Sequence, residues 1–314
     1  MLHALFLLAA LAAPHEKIFG DWAVACDNVA RCEATALQAP EQSGETPSQM
    51  LLTREPGTGA LAIAIDPADP IAGPVTLFVK GKPVAAGTIA DAYRARGGDA
   101  EALAKAMALA GGGWLELRSG AKRIARVSLA GFVEMSRYIA AEQVRTGARA
   151  LPIVAALRPA TAAPETPTRG QLGALAKRAD CDAAAVPGDL PVERYRLDAR
   201  ATLVLIPCGA GAYNFNTAAF ILRSGQDAPA EFDVPPGWRD GDAPAILTNA
   251  SFSTSDGDAV LASSAKGRGI GDCGTAQRWV WDGSRFRMIE ARVLEACRGS
   301  INWLTVFRAT PAWR

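Results

Sequence analysis

Histidine is almost absent from this sequence, which contains only His3 and His15. Ser-His-Asp and Cys-His sites use an imidazole as general base, and that imidazole must be held by a rigid scaffold. Zinc enzymes normally bind their metal with at least one histidine. Two histidines near the N-terminus meet neither requirement. The sequence therefore excludes most serine hydrolases, cysteine hydrolases and zinc enzymes, and we predict no cofactor and no metal site.

Long apolar runs and an excess of one charge are also missing. No stretch reaches the roughly 18 apolar residues that a transmembrane helix needs. The chain carries 33 basic and 32 acidic residues, so no overall field favours nucleic acid or an anionic membrane as a partner. We predict no transmembrane segment and no nucleic-acid partner, and the oligomeric state stays open.

The first residues have the layout of a secretory signal. Leu2–Ala13 is a short apolar run that ends in small residues, with an Ala10-Leu11-Ala12 cleavage pattern before Pro14. The run lacks a preceding lysine or arginine, so a buried N-terminal strand or helix is the alternative. We predict a signal peptide over residues 1–13 and a periplasmic location.

Cysteine usage agrees with export. The six cysteines include no C-x-x-C pair, which argues against a redox motif or a zinc ribbon. In an oxidising compartment the simplest interpretation is three disulfides, and six cysteines allow 15 pairings. We predict the pairings that are local in sequence, which are Cys26–Cys32, Cys181–Cys208 and Cys273–Cys297.

Length and composition predict two domains, because 314 residues exceed a typical single domain. Residues 16–150 form the first, and a Pro/Thr/Ala linker follows at 158–170. Residues 171–314 form the second. Short alternating runs separated by turn residues predict a mainly β fold. The N-terminal domain is expected to be β-sandwich-like, and the C-terminal domain an antiparallel meander in a sandwich, barrel or propeller-like arrangement.

Three helices interrupt these strands. Apolar residues at helical spacing predict one from Asp99 to about Leu109, with Asp99 as N-cap, and a second from about Gly131 to Val144. A third short helical pattern covers 171–179.

Several motifs carry a resemblance to known families. FGDWAVACDN-x-x-RC at Phe19–Cys32, LFVKGKP, and SLAGF at Ser128–Phe132 resemble the invasion-associated locus B family of exported bacterial proteins. The C-terminal part of the chain adds the motifs LxPCGAGAYN, KGRGIGDCG, WVWDG-x-x-FR and CRG. With these motifs, the whole chain resembles the bacterial family called domain of unknown function 1176. This resemblance implies an envelope or periplasmic protein of a Gram-negative bacterium. It implies no established activity and no catalytic residues.

Residues 266–299 hold the densest set of special residues. Gly269–Gly274 matches G-x-G-x-x-G, but that fingerprint binds pyrophosphate only where a strand leads into a helix. Here an aromatic strand follows, so we expect a tight glycine loop. Flanked by Lys266 and Arg268, its free amides could also cradle an anion.

A hairpin follows the loop and has two faces. In a strand Trp279 and Trp281 point to one side, and a turn at 282–284 returns Phe286 and Met288 to that side. Core packing is the favoured interpretation of this aromatic face, and stacking on a sugar or peptide is the alternative. The opposite face is cationic, and we predict a basic rim that binds a carboxylate, a phosphate or an acidic partner. The candidate ligand-binding residues are Lys266, Arg268, Asp272, Arg278, Arg285 and Arg287.

Carboxylates are the remaining candidates for acid-base chemistry. Asp256, Asp258 and Asp272 could approach one another, and a carboxylate pair suffices for glycoside hydrolysis. Asp-Gly-Asp at 240–242 and 256–258 could also bind calcium, although turn chemistry is the better interpretation.

We therefore hypothesise a non-enzymatic exported protein that binds an envelope protein or an anionic or glycan ligand through the basic rim. The alternatives are a carboxylate-dependent peptidoglycan hydrolase and an inhibitor of an envelope-attacking enzyme.

Overall fold

The computed structural model describes residues 16–69, 71–181, 191–224, 226–234, 246–254 and 258–314. The predicted signal peptide lies outside these ranges, as do residues 240–242 and Asp256. Within them the chain is mainly β, with three α-helices and several antiparallel sheets, which confirms the predicted fold class. None of the helices in the described ranges is long and apolar enough to cross a membrane.

The N-terminal half contains ten strands and two helices in its described residues, with a 3₁₀ turn at Pro40–Gln42. The strands are β1 (Lys17–Phe19), β2 (Trp22–Cys26), β3 (Cys32–Ala36), β4 (Gln49–Arg54), β5 (Leu61–Asp66), β6 (Gly73–Val79), β7 (Lys82–Ile89), β8 (Tyr93–Arg96), β9 (Trp114–Ser119) and β10 (Lys122–Ser128). The helices are α1 (Gly98–Ala110) and α2 (Phe132–Thr146).

The remaining elements are one helix and twelve further described strands. They are β11 (Ile153–Ala156), α3 (Arg169–Arg178), β12 (Glu193–Arg196), β13 (Thr202–Ala210), β14 (Phe215–Leu222), β15 (Ala228–Pro229), β16 (Ile246–Thr248), β17 (Ser251–Ser253), β18 (Val260–Lys266), β19 (Gly274–Trp281), β20 (Phe286–Leu294), β21 (Leu304–Arg308) and β22 (Thr310–Trp313).

Two sheets and two helices enclose the core of the N-terminal half. The sheets run β1-β2-β3-β4-β5-β8 and β10-β9-β6-β7. Trp22 is fully buried in one cluster with residues of both sheets and both helices. Its indole N–H donates to the backbone oxygen of Ser128 at 3.0 Å, so the only polar atom of this side chain is satisfied.

The helix boundaries correct one prediction. Asp99 is not the N-cap of α1, because Gly97 occupies that position at φ 54°. Asp99 instead lies in the first turn, where its negative charge faces the positive end of the helix dipole. The third helix begins after Thr168, whose hydroxyl accepts from the backbone N–H of Gln171 at 3.2 Å. That contact forms part of a capping box.

The turn between β1 and β2 packs against the start of α2. Gly20 and Gly131 both have positive φ, at 56° and 87°. A Cβ on Gly131 would lie 1.9 Å from the backbone oxygen of Phe19, and one on Gly20 would lie 2.6 Å from that of Ala130. Only glycine fits either position, so the two backbones can approach closely.

The C-terminal half is built on two more sheets. Strands β17 to β21 pair in chain order as an antiparallel meander, and β12-β13-β14-β15 form the other sheet, with β16 also paired to β14. A fifth sheet pairs β11 with β22 in parallel. Trp279, Trp281 and Phe286 are buried between elements of this half.

The two halves share apolar and polar contacts. Ala23, Ala25 and Leu37 of the N-terminal half are buried in the same cluster as the two tryptophans. The division into domains at 16–150 and 171–314 stays a prediction, as does the linker at 158–170.

The FGDWAVACDN segment bonds directly to the end of the chain. Asp21 pairs with Arg298. The Asp27 carboxylate accepts from Arg308 Nε at 2.5 Å. Two segments more than 270 residues apart therefore form one polar junction.

All three predicted disulfides are present, which confirms the local pairing. They join Cys26 to Cys32, Cys181 to Cys208 and Cys273 to Cys297.

Candidate functional site

The glycine-rich loop connects two antiparallel strands. It leaves β18 at Lys266 and enters β19 at Gly274, two residues that are paired across the ladder. No helix follows, so the geometry of a dinucleotide-binding turn is absent from this described loop.

Four contacts fix this loop in place. Cys273 is bonded to Cys297, and Arg268 forms an ion pair with Asp272. The indole N–H of Trp303 donates to the backbone oxygen of Gly271 at 2.9 Å. The hydroxyl of Tyr213 donates to the backbone oxygen of Gly267 at 2.9 Å. Because Cys297, Trp303 and Tyr213 come from other parts of the chain, the loop is a fixed surface.

Asp272 is the buried centre of the loop. Its side chain is 1% exposed and accepts from the backbone N–H of Gly299 at 2.8 Å. Burial alone would raise the pKa of Asp272, but the hydrogen bonds from Arg268 and Gly299 outweigh it and the net pKa is lowered. A carboxylate that is buried, ionised and fully bonded is suited to holding the loop together and poorly suited to donating a proton.

The hairpin has the aromatic face that strand parity predicts. Trp279 pairs with Met288 and Trp281 pairs with Phe286, and all four side chains are buried in one core cluster. This confirms the core interpretation of the aromatic face. The indole N–H of Trp281 donates to the Asp198 carboxylate at 2.7 Å.

Two of the candidate arginines are engaged by carboxylates of the same chain. Asp233 lies 3.4 Å from Arg285 and 2.7 Å from Arg287. Asp282 adds a second contact to Arg287 at 3.4 Å. These contacts neutralise much of the charge that a ligand would need.

The structure does not bring all six candidate residues together. Lys266, Arg268 and Asp272 share the loop end of the sheet. Arg287 lies opposite Val280, six residues along β19 from the loop end. At about 3.3 Å per residue, that separates the two ends by about 20 Å. Arg278 lies between them, exposed and without an ion pair to any described residue.

An open cleft of about 510 Å³ lies beside the loop, and we call it the Lys266 cleft. The loop lines one side with Ile270 and Gly271, and the sheet contributes Ser264, Lys266, Ala276 and Arg292. Residues 301–303 also line it, and Glu33 and Leu51 come from the N-terminal half. Its volume falls in the range of small-molecule sites.

The cleft is cationic and includes two exposed isoleucines. Lys266 is exposed and makes no ion pair with a described residue. Arg292 lies nearby, 3.2 Å from Glu290, with 47% of its side chain exposed. Ile270 and Ile301 also line the cleft and are 70% and 59% exposed.

Glu33 is the acidic group in the cleft, but its oxygens are already bonded. One pairs with Arg31 and the other accepts from the backbone N–H of Thr305 at 2.8 Å. Burial tends to raise the pKa of Glu33, and the bonds from Thr305 and Arg31 reverse this, so its pKa is lowered. Glu33 therefore stays ionised, and the residue that balances its negative charge is Arg31 and not Lys266.

Sequence reasoning missed several cleft residues, namely Glu33, Leu51, Arg292, Asn302 and Trp303. The predicted disulfide at Cys297 is a signal from which Trp303 could have been placed in the cleft. A disulfide to Cys297 brings the residues that follow it to the glycine loop, and Trp303 is the first aromatic residue among them.

Of the three carboxylates considered for hydrolysis, the two that the structure describes are engaged separately. Asp258 lies 3.5 Å from Arg158, whereas Asp272 is held in the loop. Within the described ranges, no group of three or more histidine, cysteine, aspartate or glutamate side chains could hold a metal ion.

Comparison with known proteins gives a family and no activity. No solved structure matches the chain. A stretch of 104 residues, 32% of this chain, is 34% identical to uncharacterized protein YpfG of Escherichia coli (strain K12). That stretch spans 28% of the length of YpfG. A family model described as protein of unknown function (DUF1176) matches residues 16–310, and the chain therefore belongs to this family.

Proposed function

We propose that this is an exported, non-enzymatic protein of the bacterial envelope, and that it binds an anionic ligand in the Lys266 cleft. The observation that carries the proposal is Lys266 itself. Its ammonium group is exposed in a cleft of about 510 Å³ and is not paired with any described carboxylate. The proposed binding surface is therefore the part of the predicted basic rim that lies beside the glycine-rich loop, together with Arg292.

Several features support the non-enzymatic part of the proposal. Glu33 and Asp272 both have lowered pKa values and full hydrogen bonding, whereas a general acid needs a pKa near the working pH. A fixed loop and a half-buried indole suit binding without chemistry. The hydrolase and inhibitor alternatives have no comparable observation behind them.

The export part of the proposal is supported by the disulfides. Three closed pairs and no free cysteine among the described residues are typical of proteins outside the cytoplasm. The signal peptide at 1–13, the periplasmic location and the resemblance of residues 16–150 to the invasion-associated locus B family belong to this proposal. Fractionation of cells expressing the full chain should recover a shortened, fully oxidised protein in the periplasm. A variant with Leu7→Arg and Leu8→Arg should stay in the cytoplasm at full length.

Ligand binding is tested on the indole of Trp303. The chain has seven tryptophans, and Trp303→Phe identifies one indole N–H signal in a ¹H–¹⁵N spectrum. Galacturonate should shift that signal, and neutral galactose should not. Lys266→Ala should abolish the shift, whereas Lys122→Ala, at an exposed position on another sheet, should retain it. Equal shifts with the two sugars, or unchanged binding by Lys266→Ala, would contradict the proposal.

A further inference from the structure

A second groove adjoins the Lys266 cleft on the N-terminal sheet. It has a volume of about 110 Å³, and Leu51 lines both it and the Lys266 cleft. Arg94 and Arg96 of β8 lie at its far side. We call this surface the Arg96 groove. The shared leucine places the two cavities side by side.

The floor of the Arg96 groove is a sheet face with small side chains. Leu51, Ala64 and Arg94 are cross-strand neighbours on β4, β5 and β8, and so are Thr53, Ala62 and Arg96. Cross-strand partners point to the same side of a sheet. Alternate residues, including Leu52 and Ile63, are buried in the core behind it. Alanine and threonine on the floor therefore leave the groove open.

The groove runs across the strands and leads into the cleft. Thr53 is also paired with Glu33 of β3, and Glu33 lines the Lys266 cleft. From β8 across β5 and β4 to β3 there are three strand spacings, which is about 14 Å. The combined surface is therefore longer than a single sugar ring or a small carboxylate.

Exposed, positively charged side chains lie at both ends of this surface. Arg96 is exposed and makes no ion pair with a described residue. Arg94 has one distant partner, Asp66, at 3.7 Å, and both side chains are about half exposed. Lys266 and Arg292 occupy the other end. This charge arrangement complements a ligand that carries negative charges at intervals along its length.

We propose that the Lys266 cleft and the Arg96 groove form one elongated site for an acidic polysaccharide, an inference that rests on the proposed function. Repeated carboxylates would meet Lys266 and Arg292 at one end and Arg94 and Arg96 at the other. The half-buried indole of Trp303 offers a flat apolar surface to a sugar ring. Thr53, Ser264 and Asn302 line the two cavities and provide hydrogen-bonding partners for hydroxyl groups.

An extended acidic peptide fits this surface less well. Peptides that bind sheets usually add a strand to a free edge and bond through their main chain. Strands β4 and β5 beneath the groove are hydrogen-bonded to neighbours on both sides, and β8 is the last strand of this sheet. The groove crosses these strands, so a ligand that follows it lies on the sheet face and does not run along the edge of β8. A ligand must therefore bind through its own side groups, as a carboxylated sugar chain does.

The test is a length series measured by calorimetry at low salt. Galacturonate monomer, trimer and hexamer are titrated into the full mature chain, with a hexaglutamate peptide as the peptide arm. The hexamer should bind at least tenfold more tightly than the monomer. Arg94→Ala combined with Arg96→Ala should remove that gain and leave monomer binding unchanged. The control pair Lys82→Ala and Lys122→Ala, exposed on the other N-terminal sheet, should keep the gain.

The outcomes separate the two proposals. Binding of the monomer with no gain for the hexamer overturns the elongated site and leaves the Lys266 cleft in place. Hexamer binding that is independent of Lys266 overturns the proposed function at that cleft. Hexaglutamate binding as tightly as the sugar hexamer, with the same dependence on Arg94 and Arg96, overturns the polysaccharide class in favour of an acidic peptide. Absence of binding by every acidic sugar overturns the polysaccharide site, and absence of binding by hexaglutamate as well overturns the proposed function.

Discussion

Replacing Asp272 tests whether the glycine-rich loop is held by one buried carboxylate. Asp272→Ala removes the acceptor of the buried Gly299 N–H, which now bonds at 2.8 Å. An unsatisfied buried donor costs about 1–3 kcal/mol. The ion pair with Arg268 adds little to this, because that arginine is half exposed and solvent screens it. We therefore expect the free energy of unfolding at pH 7 to fall by about 2 kcal/mol.

Asp272→Asn refines the same test. Asparagine keeps an oxygen for the Gly299 N–H but loses the charge, so its cost should be smaller than that of alanine. The wild-type pKa of Asp272 is lowered in the folded chain, whereas in the unfolded chain it is about 3.9. The stability gained from its charge is therefore complete above the unfolded pKa and is lost as pH falls through the folded pKa. The gap between wild type and Asp272→Asn should close in that acid range.

Urea unfolding with the disulfides intact, from pH 7 down to pH 3, measures both effects. Asp69→Ala is the matched control, because it removes the same charge from an exposed position. The reasoning is refuted if Asp272→Ala is as stable as Asp69→Ala at pH 7. It is also refuted if the gap between wild type and Asp272→Asn is the same at every pH.

Three further variants test the scaffold by urea unfolding. Gly131→Ala should lower the free energy of unfolding far more than Gly120→Ala does. Both glycines have positive φ, but a methyl group at position 131 would lie 1.9 Å from a backbone oxygen, whereas one at position 120 would meet nothing within 4 Å. Equal losses would contradict the close-approach explanation. Trp281→Ala should lower the free energy of unfolding by about 3–5 kcal/mol, because it leaves a cavity at a fully buried site. A loss below about 1 kcal/mol would contradict the core role of Trp281. Replacing Cys273 and Cys297 together by serine opens a loop of 24 residues and should cost about 3 kcal/mol on the chain-entropy estimate. A reductant too mild to open the other two disulfides should not lower the stability of this variant further.

The sequence pattern predicted the strands in which apolar and polar residues alternate strongly and whose pairing partner is close in sequence. The hairpin of β19 and β20 is the clearest example, because two-residue periodicity placed Trp279 and Trp281 on the buried face. The parallel pairing of Ile153 with Thr310 was beyond such reasoning. Parallel partners need no shared turn, so no local turn signal marks them. The N-cap of α1 was misplaced for a related reason, since Gly97 serves there through its backbone and not through a side chain.

The candidate site was predicted in its chemistry and not in its position. Strand parity shows which arginines share a face, but it cannot show which of them have partners. The partner of Arg285 and Arg287 is Asp233, more than 50 residues earlier, and its approach depends on how two sheets pack. Lys266 makes no ion pair with a described carboxylate, and Glu33 in the same cleft is paired with Arg31. Whether a cation is available is a tertiary property, and spacing along one strand does not determine it.

The position of the Lys266 cleft follows from how the two ends of the chain are joined. Cys297 ties the last segment to the glycine-rich loop, and Arg298 then ties the same segment to Asp21 of the N-terminal half. Between these anchors and β21, residues 299–303 must cross from one half to the other, and that crossing forms one side of the cleft. Glu33 fixes the far end of the crossing by accepting from the N–H of Thr305. The cysteine and arginine of CRG are therefore engaged on opposite sides of one junction, and residues 301–303, which follow them, line the cleft.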